Sequence, residues 1–94
     1  MKYGFTIPGS GPLSAPESMR ALVRRGEDLG FDTVVCPDHI VFPKDISSPY
    51  PYNPEAVHPG TIGGACLDQL TVLAFIAGQT TTLRLGTSVM IVAH

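Results

Sequence analysis

The sequence predicts an α/β fold built on a parallel sheet, and three observations carry that prediction. Short β-branched and apolar runs alternate with stretches of helical periodicity. The connections are short, except for one long loop rich in proline. The last strand-like run is apolar on both sides in its second half, as strands in the middle of parallel sheets are. The predicted order is strand, helix, strand, long loop, helix, strand. Residues 1–94 read as a single domain that forms the first part of a larger α/β fold.

The first strand is expected over Lys2–Ile7 (KYGFTI), which is mixed aromatic and β-branched and stops at Pro8-Gly9. Ser14, Ala15, Pro16 and Glu17 have the S-x-x-E form of a capping box, with Ser14 as the N-cap. Pro16 falls in the first helical turn, where no N–H is needed. Met19, Leu22, Val23, Gly26 and Leu29 then recur at helical spacing, while Arg20, Arg24, Glu27 and Asp28 take the other face. This predicts an amphipathic helix over Ala15–Leu29, ended by Gly30 in a left-handed conformation. Thr33–Cys36 is the second strand. Strand, helix and strand with short links make a βαβ unit, hence a parallel pair and a right-handed crossover.

Pro37 to Cys66 holds six prolines and three glycines and cannot form a continuous helix or central strand. Loops of this length are usually functional or mobile. Tyr50 and Tyr52 are expected to pin the loop down. Leu67–Gln79 is the second helix, with Asp68 in its first turn. One stripe holds Leu67, Leu70, Leu73 or Ala74, and Ala77, and another holds Val72, Phe75 and Ile76. A helix apolar nearly all round is expected to be buried nearly all round. Thr80, Thr81 and Thr82 make a turn, and Leu83–Val92 is the third strand.

Composition excludes several classes of function. Net charge is −2 and only 15% of residues are charged. Arg20, Arg24 and Arg25 are interleaved with acids and read as a solvated helix face, not as a phosphate-binding stripe, so nucleic acid is not an expected partner. No run reaches the ~18 apolar residues of a membrane span. The N-terminus lacks the apolar core of a signal peptide, so a cytoplasmic location is expected. Cys36 and Cys66 form no CxxC pair and have no metal-type spacing to His39, His58 or His94; they read as free thiols, with no metal site.

In parallel α/β folds, ligands bind beyond the carboxyl ends of the strands. Asp38 and His39 stand just past the end of the second strand, Pro8 and Gly9 past the first, and His94 near the end of the third. A carboxylate beside an imidazole can tune it toward neutral-pH proton transfer. Asp38 could equally cap the turn after Pro37. His58 is assigned no role, and His94 could be structural or functional.

The stretches KYGFTIP, EDLGFDTVVCPDH and LDQLTVLAFIAGQTTTLRLGTSVMIVAH, and the spacing between them, resemble the N-terminal third of luciferase-like monooxygenases, which are TIM barrels of the bacterial-luciferase type. Almost the whole chain takes part, the region from Lys44 to Gly64 least. PDHIVFP and the YPYNP loop resemble the coenzyme F420-dependent oxidoreductases within that superfamily. The resemblance implies the first three strands and two helices of an incomplete (β/α)8 barrel. It implies a hydride transfer between F420 and an unknown small organic substrate. His39 would act near the reactive carbon as acid–base or electrostatic partner. Asp38 would orient it and contact cofactor or substrate. Ser88 and Val89 match a strand bulge with a non-prolyl cis peptide on which the deazaflavin ring rests, and Thr87 adds a hydroxyl nearby. The full-length form would be a homodimer.

A complete barrel takes roughly 250 residues, so the chain is expected to be a fragment with little activity or stability of its own. The alternatives are an FMN-dependent luciferase-like monooxygenase and a non-catalytic interaction module. A metal hydrolase using Asp38 and His39 would want His-x-His at the end of the first strand, where Thr6, Ile7 and Pro8 stand.

Overall fold

The computed structural model describes residues 1–39 and 66–93. The expectations placed on Tyr50, Tyr52, His58 and His94 lie outside those residues. The elements are β1 (Gly4–Thr6), α1 (Pro16–Asp28), β2 (Thr33–Cys36), α2 (Gln69–Ala77) and β3 (Arg84–Thr87), with a short 3-10 turn at Pro12–Ser14. The three strands form one parallel sheet in the order β1-β2-β3. Phe5 pairs with Val34, which pairs in turn with Leu85.

The core lies on one face of this sheet. Val34 and Cys36 alternate inward along β2 and meet Met19 and Val23 of α1 and Val72 and Ile76 of α2. Ile7, Val23, Val34 and Ile76 are completely buried. Burial of such side chains contributes about 1.5–3 kcal/mol each. Arg20 ties the two helices together, its Nε donating to Gln79 Oε1 at 3.0 Å.

Phe5 and Phe31 meet edge to face with ring centroids 5.3 Å apart. The Phe5 ring lies over the buried Gly26, where a Cβ would stand 2.6 Å from Phe5 Cζ. Gly26→Ala would gain about 0.5–1 kcal/mol of helix propensity. Displacing a ring already wedged against Phe31 costs more, about 1–3 kcal/mol. The expected outcome is a net loss, read as a lower urea midpoint at unchanged slope.

Several boundaries differ from the sequence expectation. Ser14 is not the N-cap of α1. The 3-10 turn engages its hydroxyl, which donates to Gly11 O at 2.7 Å, and Ala15 takes the cap position without a side-chain bond. Gly30 does carry positive φ, 80°, just after the helix. Asp68 stands one step before α2 as its N-cap, accepting from Thr71 N at 2.7 Å, and not within the first turn. β1 is shorter than Lys2–Ile7, although Ile7 N still donates to Val35 O at 2.9 Å.

β3 ends at Thr87, not Val92, because its partner strand ends. The pairing runs out at Cys36 with Thr87, and Pro37 has no N–H to continue it. β2, not β3, is the central strand. The peptide between Ser88 and Val89 is trans, contrary to the expected cis bond. α2 buries one face only: Leu70 is 52% exposed, while Val72 and Ile76 are buried.

Two acids fasten the amino-terminal side of the structure. Glu27 Oε1 accepts from Thr81 N at 2.8 Å, Thr82 N at 2.7 Å and Thr82 Oγ1 at 2.8 Å, and from the Thr80 hydroxyl. α1 is thereby bound to the threonine turn before β3. Asp32 receives Arg84, with Nε at 3.0 Å, the Thr33 hydroxyl at 2.8 Å and Lys2 Nζ at 3.1 Å. The Thr80 hydroxyl, then Thr82, hold Glu27 down to about 2. Arg84, then Thr33 and Lys2, hold Asp32 down to about 2.

Both values are depressed, so their stabilisation is complete above the ordinary carboxylate range and is lost as pH falls through about 2. Melting temperature should therefore drop progressively below about pH 4.5. Glu27→Gln should flatten part of that drop, as followed by circular dichroism across the pH series.

Candidate functional site at the carboxyl ends of the strands

Because all three strands are parallel, the segments leaving their carboxyl ends lie side by side. The last backbone bond between β2 and β3 runs from Ser88 N to Cys36 O at 3.1 Å, with Ser88 Oγ 3.5 Å from the same oxygen. Beyond it, the chain after β2 turns through Pro37 to Asp38 and His39, alongside Ser88–Ile91.

Asp38 is buried, only 3% exposed, and its Oδ2 accepts from Ile91 N at 2.5 Å. A carboxylate receiving a backbone N–H makes a strong charge-assisted bond. It pins the chain after β3 to the chain after β2. His39, next to it, is exposed. The pair that the sequence singles out is thus split in function: the acid points into the structure and the imidazole stands at its surface.

The N-terminus of α2 closes the same end. Leu67 N donates to Gly9 O at 2.9 Å, and Cys66 forms an antiparallel bridge with Ser10, so the segment entering α2 is laid against the one leaving β1. Asp68 caps the helix through Thr71, whose hydroxyl it also accepts at 2.7 Å. Gln69 follows. It is 2% exposed, and its Nε2 donates to Val89 O at 3.2 Å. Sequence reasoning missed this residue. The signal was present: Gln69, Val72 and Ile76 fall at i, i+3 and i+7, which places a polar side chain on the buried stripe of the helix.

The structure joins Asp38 to Ile91, Ser88 to Cys36 and Val89 to Gln69, with Thr87 at the end of β3 and His39 one residue beyond Asp38. The surface beside them is apolar. Val89 is 61% exposed, Met90 50% and Ile91 43%.

Cys36 and Cys66 are free thiols. Burial pushes the Cys36 thiol up, helped by the negative surroundings of Cys66, Asp68 and Asp38. Burial and the Asp38 carboxylate push Cys66 up as well. Thiols raised in this way are poor nucleophiles. Among the described residues no group of three His, Cys, Asp or Glu side chains comes together to hold a metal ion, and no helix is long and apolar enough to cross a membrane.

The arrangement offers an exposed imidazole, a stretch of backbone after β3 fixed from two sides, and an exposed apolar surface. The family model described as luciferase-like monooxygenase matches residues 1–94. No curated protein and no solved structure matches the chain.

Proposed function

The chain belongs to the luciferase-like monooxygenase family, and we propose that it is the N-terminal portion of an F420-dependent oxidoreductase of that family. In this proposal the sheet is the first three strands of a (β/α)8 barrel. Support comes from strands paired in sequence order and from helices packed on one face only. The other face carries Thr6, Val35 and Gly86, aligned across the sheet as a barrel interior requires. The full-length form is proposed to act as a homodimer on a small organic substrate.

The observation that carries the proposal is the lock between Asp38 and Ile91 N. It holds His39 and the ledge Ser88–Val89 at neighbouring strand ends, where barrels keep their chemistry. These residues would suit a flat ring: Val89 and Met90 are exposed and apolar, and His39 is exposed at the neighbouring strand end. When bound, a deazaflavin supplies two-electron hydride transfer. His39 holds or releases a proton beside the ring and offsets charge there. Asp38 keeps the ledge in register, and Thr87 and Ser88 offer hydroxyls at its edge. The apolar run excludes water from the reacting face.

FMN would suit the same ledge, and a monooxygenase using it is the second reading. Titration of the full-length reading frame with F420 and with FMN separates the two. The proposal expects tighter binding of F420; tighter binding of FMN, with oxygen consumption on turnover, would replace it with the second reading.

A further inference from the structure

We propose that Gln69 is a positioning residue for the backbone ledge on which the cofactor rests. The inference builds on the proposed function, which places the ring against Ser88–Val89. Gln69 lies outside the Asp38–His39 pair and touches none of the reacting groups. It acts through the Val89 carbonyl, to which its Nε2 donates at 3.2 Å.

The argument begins from what Gln69 costs. The side chain is buried on the same stripe as Val72 and Ile76, and its Oε1 has no hydrogen-bond partner among the described residues. A buried amide with one half unmet destabilises a fold, and an apolar side chain of similar length would remove that cost. Turning the amide over would not help, because it would set Oε1 against the Val89 carbonyl oxygen. The bond ties a buried side chain to the backbone of a residue that is itself 61% exposed.

What the bond does achieve is geometric. The chain after β3 has left the sheet at Thr87 and has no ladder to hold it. It is fixed instead at three points: Ser88 N to Cys36 O, Val89 O to Gln69, and Ile91 N to Asp38. Two of these anchors come from the end of β2 and one from the start of α2. Removing Gln69 leaves the segment held only from the β2 side, through Ser88 and Ile91. A ring-binding ledge needs a fixed backbone, and residues that fix it without contacting the ligand are often locally unfavourable for stability.

The test uses the full-length protein with Gln69→Leu and Gln69→Met, each keeping the volume and dropping the donor. Melting temperature is measured without cofactor. Dissociation constants for F420 and FMN are measured by fluorescence, and amide hydrogen exchange is followed over residues 88–91. The expected result is an unchanged or higher melting temperature, faster exchange at 88–91, and affinity for the tighter cofactor weakened by about five- to tenfold.

A melting temperature lowered in both variants would overturn the assignment by showing Gln69 to be a stability residue. Unchanged affinity in folded variants would overturn it while leaving the proposed function standing. If the unaltered protein binds neither cofactor, the proposed function itself fails, and the positioning role falls with it.

Discussion

His39→Ala in the full-length protein should lower the rate of hydride transfer from reduced F420 to an artificial quinone acceptor by roughly a hundred- to ten-thousand-fold, the range over which a positioned acid or base contributes. Binding of F420 should change far less. His39 is exposed, and the ledge beside it is held by Asp38 and Gln69. A loss confined to the transfer step means that the imidazole acts in the transition state, not in binding. Single-turnover absorbance records the rate, and an equilibrium titration on the same sample records affinity. Comparable losses in both would make His39 a binding residue.

The second large effect is expected at Asp38, and two substitutions separate its parts. Asp38→Ala leaves Ile91 N without the buried side chain to which it donates. Losing a hydrogen bond to a charged group costs about 1.5–3 kcal/mol. Asp38→Asn keeps an oxygen that can accept from Ile91 N, so it should lose less stability. Asp38→Ala should weaken cofactor binding more than Asp38→Asn, because it removes one of the three bonds that fix the chain after β3. The two losses are read separately, stability from urea unfolding and affinity from titration. If Asp38→Ala were as stable as the parent, the Ile91 bond would have no part in holding the site together.

Much of this structure is legible in the sequence, and the residues show why. β2 is read to its ends because its punctuation is local: Pro37 halts it, and the β-branched Thr33, Val34 and Val35 have few alternatives. The body of α1 follows from apolar spacing, and its exit from Gly30, which adopts φ 80°. Its entry was misread because Ser14 had a nearer partner. A short polar side chain chooses between a helix N-terminus and a local turn, and the spacing S-x-x-E does not decide between them.

The end of β3 was not legible from its own residues. Ser88–Val92 has the composition of a strand but stops being one because β2 has ended beside it, a constraint set fifty residues away in sequence. The same holds for the site. Asp38 and His39 could be picked out as a pair at a strand end. That Asp38 faces inward to Ile91 depends on a contact across 53 positions. Gln69 looked like an ordinary polar residue near a helix start. Only its alignment with Val72 and Ile76 on the buried stripe distinguished it, and that alignment shows burial, not the Val89 carbonyl that it meets.

The unburied apolar residues are consistent with the barrel proposed above. Leu70 on α2 and Val89 to Val92 after β3 stay exposed in this chain. In a closed barrel the next strand and helix would lie against β3 and α2. In the proposed barrel, the edge of β3 and the uncovered stripe of α2 are where the next units would pack.

The location of the cofactor ring is the central claim, and amide hydrogen exchange on the full-length protein with and without F420 tests it most directly. Slower exchange at Asp38 and His39 and at Ser88 to Ile91 on addition of F420, absent in Asp38→Ala, is the predicted result. Saturating F420 with protection elsewhere in the protein and none at these strand ends would contradict it.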